Sequence, residues 1–161
     1  MAEKPIVVRV DIRATAEAAW HEIAKTGVVQ RAYFDTVLFG ELKPGAEYRY
    51  ATPDGKRTFI RGRVLEVDPP RRLVTTFRFT GKGEPEGKVT TEIEPIPGGV
   101  RVTVTHEGLD TTKGTGRRAE GGWKSILGNL RRVLETGDVS AGMKFQYFLM
   151  RLFMPLMPKG E

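Results

Sequence analysis

The chain has 161 residues, the length of one domain, and 39% of them are hydrophobic, enough to build a core without cross-links. It contains no cysteine, so disulfides and thiolate metal sites are excluded, and a reducing cytoplasm is the expected compartment. The net charge is +6, but lysines and arginines are spread among glutamates, so we expect a solvated surface and no nucleic-acid partner. Neither a secretory signal nor an apolar run of about 20 residues is visible, so no spanning helix is predicted.

The first part of the chain predicts a strand followed by a helix. Residues 5–13, "PIVVRVDIR", alternate apolar and charged side chains, a period of two that is typical of a half-buried strand. Thr15 then suits an N-cap, and apolar side chains recur at helical spacing in "AEAAWHEIAK" before Gly27. A second short helix is expected around "VVQRAYF", residues 28–34.

From residue 45 onward the sequence predicts five strands in an antiparallel meander. Runs of alternating side chains are separated by the turn signals "PDGK", "DPPRR", "GKGEPEG" and "PGG". The alternation places one set of side chains on a common inward face: Tyr48, Tyr50, Ile60, Val64, Leu73, Thr75, Phe77, Phe79, Val89, Thr91, Ile93, Val102, Val104 and His106. The opposite face carries mainly arginines and glutamates and is expected to meet solvent. A sheet with one apolar face must bury it against another element.

That element is a long helix predicted over residues 117–136, which Gly137 ends. Trp123, Leu127 and Leu130 recur at helical spacing on its apolar side. A curved antiparallel sheet wrapped around one long helix is a helix-grip fold of the α+β class. One helix does not fill the concave face of such a sheet, so a cavity is expected between them. The predicted domain covers residues 1–137, and residues 138–161 form an apolar C-terminal tail.

Four stretches of the chain together resemble one protein family: "IRATAEAAWHEIA", "GRVLEVDPPRRLVTTF", "VTVTHEGL" and "GGWKSILGNLRRVLETG". The resemblance covers residues 6–137 and is to the bacterial proteins similar to the activator of the heat-shock-protein-ninety ATPase, within the START-like (SRPBCC) superfamily. It implies the fold of the birch pollen allergen and of lipid-transfer START domains. Members mostly bind hydrophobic or amphipathic small molecules, and a few relatives are cyclases or hydrolases. The eukaryotic namesake stimulates a chaperone ATPase but uses an additional N-terminal domain, so the resemblance does not carry the co-chaperone role to this sequence.

The inward residues indicate a binding pocket more than a catalytic site. Apolar walls with a few hydroxyl groups and one imidazole are typical of small-molecule pockets. His106 is the one histidine on an inward face, and two separated histidines predict neither a metal site nor a cofactor. No serine lies in a nucleophile elbow, so no catalytic residue is predicted. The candidate ligand-binding residues are Tyr48, Tyr50, Thr75, Phe77, Phe79, His106, Trp123 and Leu127.

The predicted function is therefore binding or carriage of a hydrophobic or amphipathic small molecule, and two alternatives stay open. The first is an enzyme of the same fold, a cyclase or hydrolase, in which His106 acts as the acid–base group. It requires a carboxylate within reach of His106, which the strand pattern does not supply. The second is a stress-response module that docks on a chaperone through the basic outer face, with salt-sensitive binding.

The stretch "KFQYFLMRLFMPLMP", residues 144–158, is far more apolar than the rest of the chain. Ser140 suits an N-cap and Pro155 cannot continue a helix, so the tail is predicted to be helical to about residue 154. Such a helix is about 21 Å long, shorter than the hydrocarbon core of a bilayer.

Lys144, Tyr147 and Arg151 form one narrow polar stripe on this predicted helix, and most of the remaining surface is apolar. Soluble monomers rarely expose such a surface. We expect residues 141–157 to pack on protein, either within the chain or across a homodimer, and methionine-rich faces suit adaptable contacts. Peripheral membrane contact by the tail, helped by its two cations, is the alternative.

Overall fold

The structure of the protein is a computed structural model that describes residues 4–156. The described residues form one eight-stranded antiparallel sheet and three α-helices. The strands are β1 (Ile6–Ile12), β2 (Val29–Gln30), β3 (Thr36–Gly40), β4 (Glu47–Ala51), β5 (Thr58–Asp68), β6 (Arg72–Phe79), β7 (Gly87–Ile96) and β8 (Gly99–Glu107). The helices are α1 (Ala16–Ala24), α2 (Gly114–Thr136) and α3 (Ala141–Phe153), and 3₁₀ turns cover Arg31–Tyr33 and Met154–Leu156. The strand order is β1-β8-β7-β6-β5-β4-β3-β2.

The sheet curls around α2, and its two faces differ as the alternation predicts. On β8, the inward side chains of Val102, Val104 and His106 are almost completely buried. On the outer face, charged side chains pair across strands, as Arg72 does with Glu92 at 3.3 Å. Helix α2 packs against β1 and against the 3₁₀ turn at Arg31–Tyr33. The predicted α+β helix-grip architecture is therefore confirmed.

The second short helix expected around residues 28–34 is only one 3₁₀ turn, Arg31–Tyr33, because the stretch begins with the two-residue strand β2. Phe34 and Asp35 end the turn with φ angles of 59° and 58°, a left-handed conformation that does not continue a helix. The buried Gln30 amide donates to the Ile23 and Lys25 carbonyls at 3.3 and 2.9 Å, which ties β2 to the end of α1. Strand β3, which the periodicity does not predict, then pairs with β4.

Helix α3 begins at its predicted N-cap, where the Ser140 hydroxyl accepts a hydrogen bond from the Met143 amide at 3.2 Å. It ends at Phe153, within one residue of the predicted end. The helix packs on the chain's own domain through its polar stripe, and Tyr147 is only 2% exposed. Most of the large apolar side chains of the tail are not covered by the chain's own domain, so their expected burial within the chain is wrong. Residue 157, at the end of the predicted tail segment, lies outside the described residues.

Gly62 on β5 gives Tyr48 the space that a side chain would fill. The two residues are partners in the β4–β5 register. A Cβ atom on Gly62 would overlap the Thr76 carbonyl oxygen and lie 2.7 Å from Tyr48 Cε1. The Tyr48 hydroxyl donates to that same carbonyl at 2.6 Å, so the glycine determines where the tyrosine ring lies on the concave face.

Gly62→Ala is expected to lower the free energy of unfolding by about 1–3 kcal/mol, as over-packing does, because the added methyl group meets strand backbone. Urea denaturation measures this change. Gly128→Ala is the matched control, since no heavy atom lies within 4 Å of a Cβ at Gly128 on the exposed side of α2. That substitution should be neutral or stabilise by up to about 1 kcal/mol. If Gly62→Ala unfolds with the same free energy as the wild type, the expectation is wrong, and Tyr48 and Thr76 move apart without loss of stability.

Candidate functional site

A cavity of about 1440 Å³ lies between the concave face of the sheet, α2 and the inner side of α3. Aromatic and aliphatic side chains form most of its wall. The sheet contributes Tyr48, Tyr50, Leu73, Thr75, Phe77, Phe79, Val89 and Thr91; α2 contributes Ala119, Gly122, Trp123 and Ile126; and the C-terminal part contributes Tyr147, Met150 and Met154. The wall is therefore apolar with a few hydroxyl groups.

Six of the eight predicted site residues line this cavity: Tyr48, Tyr50, Thr75, Phe77, Phe79 and Trp123. The rings contact one another along the wall, and the Phe77 centroid lies 5.3 Å from Phe79 and 5.8 Å from Trp123. Period-two alternation on the strands and helical spacing on α2 thus bring these six side chains to one surface. Their binding of a ligand stays a prediction.

The other two predicted residues, His106 and Leu127, lie outside the cavity wall. Leu127 is 1% exposed and packs in the hydrophobic core. His106 lies behind Phe77, whose ring centroid is 4.9 Å away, and Trp123, whose indole Nε1 donates to His106 Nδ1 at 3.0 Å. Alternation along β8 predicts the correct face for His106, but these two aromatic rings occupy the wall in front of it.

His106 is a neutral, buried hydrogen-bond acceptor. Burial lowers the pKa of His106 to about 4. Because Nδ1 accepts the Trp123 hydrogen bond, the single proton of the neutral ring is on Nε2. Nε2 has no hydrogen-bond partner among the described residues. The imidazole therefore holds the Trp123 indole in the wall and does not present an acid–base group to the cavity.

Three tyrosines supply hydroxyl groups to the apolar wall. The rings of Tyr33 and Tyr50 stack with centroids 5.5 Å apart, and Tyr48 meets Tyr50 edge-on at 5.9 Å. The Tyr48 hydroxyl is bonded to the Thr76 carbonyl, whereas the hydroxyls of Tyr33 and Tyr50 hydrogen-bond no described residue. Burial raises the pKa of all three phenols, so each is a neutral donor.

Several wall residues are missing from the predicted site. Tyr33 lies in the stretch that was expected to be helical, and its place depends on the left-handed residues that follow it. Gly122 has no side chain whose pattern could indicate a pocket. Met150 and Met154 line the cavity from α3 and from the turn after it. The one feature of the sequence that could have indicated their role is the concentration of methionine in the tail.

Charged side chains surround the opening of the cavity. Asp35 is bonded to Arg31 at 2.8 Å and to Arg151 at 3.1 Å. Two exposed cations that line the cavity, Lys56 and Arg118, form no ion pair with a described residue. Within residues 4–156, no group of three or more histidine and acidic side chains is placed to hold a metal ion.

The buried neutral His106 predicts a loss of stability in mild acid. Its folded-state pKa of about 4 lies below the ordinary value of 6.5, so the unfolded chain binds more protons between these pH values. The free energy of unfolding should therefore fall by about 2 kcal/mol from pH 7 to pH 5 through this group. Urea denaturation of His106→Gln, which does not titrate here, should show a flatter pH dependence. Equal slopes in the two proteins would contradict this assignment.

Comparisons with known proteins agree with the fold. DynU16, from the dynemicin biosynthetic locus, is 25% identical, and the match covers 85% of this chain and 49% of DynU16, with a TM-score of 0.69. This chain thus spans about half the length of that protein. The Aha1 dimer of Colwellia psychrerythraea is 16% identical, with 84% and 98% of the two chains covered and a TM-score of 0.67. An HSP90 activator of Plasmodium falciparum is 17% identical, with 82% and 96% covered and a TM-score of 0.67.

Two sequence comparisons complete these findings. No curated protein matches the chain. The family model described as "Activator of Hsp90 ATPase homolog 1-like protein" matches residues 13–135. That range contains α1, the sheet from β2 to β8 and nearly all of α2. The chain therefore belongs to the family of Activator of Hsp90 ATPase homolog 1-like proteins.

Proposed function

We propose that the protein binds a hydrophobic or amphipathic small molecule in the cavity between the sheet and α2. The observation that carries this proposal is the cavity of about 1440 Å³, because protein interiors normally pack to high density. A space of this size exceeds the ~300–1,000 Å³ of common ligand pockets and suits a long or polycyclic molecule.

The wall supports a ligand that is mainly apolar and has a few polar groups. Aromatic faces supply contact area, and the hydroxyls of Tyr33 and Tyr50 are left to hydrogen-bond a bound molecule. Lys56 and Arg118 at the opening suit a polar or acidic end of the ligand. An amphipathic molecule with its apolar part inside therefore matches both regions.

Binding is favoured over catalysis by the position of the ionisable groups. His106, the acid–base candidate, is outside the wall and neutral. Two carboxylates line the opening, and both already have donors: Asp35 is bonded to two arginines, and Asp54 accepts from the Thr52 hydroxyl and the Lys56 amide. None of these groups is placed as a free general acid or base in the interior.

Docking on a chaperone has the family name as its support, together with the description of the Plasmodium protein as an HSP90 activator. Docking of this kind would rely on unpaired cations on the outer face of the sheet. Several cations of that face are paired, since Arg72 bonds Glu66 and Glu92 and Arg101 bonds Asp11. Surface pairs of this kind leave less charge for a partner, so ligand binding is the better supported function.

Gly122→Leu tests the proposal. No heavy atom lies within 4 Å of a Cβ at Gly122, and the residue lines the cavity, so a leucine would project into the empty space. The affinity for a fluorescent fatty acid, such as dansyl-labelled undecanoic acid, should fall at least tenfold. The fold should be kept, because replacing a helix-interior glycine stabilises a helix by up to about 1 kcal/mol.

Gly121→Leu is the matched control for this experiment. Gly121 is the preceding residue on α2, also has open space around its Cβ position, and faces solvent. Its variant should bind the probe as the wild type does. Probe binding that is equal in all three proteins, or no probe binding by the wild type together with no co-purified molecule in native mass spectrometry, would contradict a ligand cavity.

A further inference from the structure

We infer that α3 docks the protein on the surface of an anionic phospholipid bilayer and lies parallel to it. The contact surface, which we call the apolar face of α3, consists of Phe145, Phe148, Leu152 and Phe153 on α3 and of Leu156 on the 3₁₀ turn that follows it. These side chains are 62%, 52%, 57%, 52% and 82% exposed, respectively. No helix of residues 4–156 is long and apolar enough to cross a membrane, so the contact is with the interface.

Polar contacts fix the orientation of α3 with this face outward. The Tyr147 hydroxyl donates to the Arg31 carbonyl at 2.7 Å and accepts from the Asn129 amide at 3.2 Å. Lys144 pairs with Asp138 at 2.8 Å and Arg151 with Asp35 at 3.1 Å. Rotating the apolar face toward the domain would break all of these bonds, so the outward orientation belongs to the folded chain.

The apolar face exposes an area comparable to the largest apolar patch of a typical monomer, and such patches are often functional. Its three half-exposed phenylalanines alone present on the order of 300 Å² of aromatic surface, given the area of such side chains. The two leucines add to this area, and larger apolar patches mark interaction sites. Phenylalanine and leucine on one side of a helix, with cations at its flanks, is the pattern of helices that lie in the membrane interface.

Charge selects the bilayer over a second copy of the chain. Lys144 and Arg151 each pair with one carboxylate, whereas Arg72 and Arg101 each pair with two. They also keep half or more of their side-chain surface exposed along the flank of α3. Arg57 donates to the Pro155 carbonyl at 3.4 Å, which places the exposed Lys56 next to the end of the apolar face. A second copy of the chain would bring the same cations to the contact. Anionic head groups instead complement both these cations and the net charge of +6 on the chain.

Docking in this way would hold the opening of the cavity against the bilayer. Met150 and Met154 line the cavity, while Phe153 and Leu156, close to them along the chain, point outward. A ligand dissolved in the membrane would then reach the cavity without crossing water. This last consequence rests on the proposed function, whereas the docking itself does not.

The test is co-sedimentation of the full chain with vesicles of phosphatidylcholine containing ~30 mol% phosphatidylglycerol, and with phosphatidylcholine alone. We expect the wild type to sediment with the anionic vesicles and to be released as salt is raised. The combined variant Phe145→Ser, Phe148→Ser and Leu152→Ser should partition at least tenfold less. These side chains are exposed, so the circular dichroism spectrum and the binding of the fatty-acid probe should be unchanged.

The control variant, Val7→Ser with Leu65→Ser, removes two apolar side chains exposed to similar degrees on β1 and β5. It should sediment as the wild type does, and so should Gly122→Leu, which separates docking from ligand binding. A wild type that stays in the supernatant with anionic vesicles overturns the inference. If light scattering then shows a dimer that the triple variant dissociates, a second copy covers the face. Equal sedimentation of the wild type and the triple variant also overturns it.

Discussion

An eight-stranded concave sheet has more apolar surface than one helix can cover, and this mismatch determines the rest of the molecule. Strands spaced about 4.8 Å apart make a sheet more than 30 Å wide, whereas a helix with its side chains is about 10–12 Å across. Helix α2 packs toward β1 and leaves much of the surface of β4, β6 and β7 uncovered. The uncovered part becomes the cavity, and the aromatic side chains that would otherwise fill a core become its wall.

The wall is held in place by polar contacts behind it. His106 fixes the Trp123 indole, and the Thr76 carbonyl fixes the Tyr48 ring over Gly62. Buried polar contacts of this kind specify one arrangement of the side chains they join. A wall fixed before binding loses less conformational entropy when a ligand arrives.

Regular periodicity made most of the fold predictable. The alternation on β4 to β8 assigns Tyr48 through His106 to the correct face, and the spacing on α2 assigns Trp123 to the side that meets the sheet. Periodicity gives a direction but not a depth, which is why His106 is inward and yet lies behind the wall. Periodicity also fails where elements are short, and β2 has only two residues. The turn after β2 depends on the left-handed conformation of Phe34 and Asp35, which the sequence does not indicate because neither residue is a glycine.

The orientation of α3 could not be derived from its own sequence. A helical wheel shows an apolar side and a polar stripe, and burial of the apolar side is the usual outcome. Here the groups that bind the stripe, the Arg31 carbonyl and Asp35, come from a turn more than 100 residues away. The partners of a polar stripe are a property of the folded chain, so only the structure reveals which side of the helix faces the domain.

For a ligand bound as proposed, the start of α2 would also affect how fast the molecule leaves the cavity. Four glycines lie within Gly114–Gly122. The side chain of the N-cap residue, Lys113, makes no hydrogen bond to the first turn of the helix. Helical stretches of this composition open locally more often than the leucine-rich second half of the same helix. Thr115, Arg118 and Ala119, which line the cavity, lie on these first turns. Fraying of about two helical turns would therefore set a dissociation rate without unfolding the sheet.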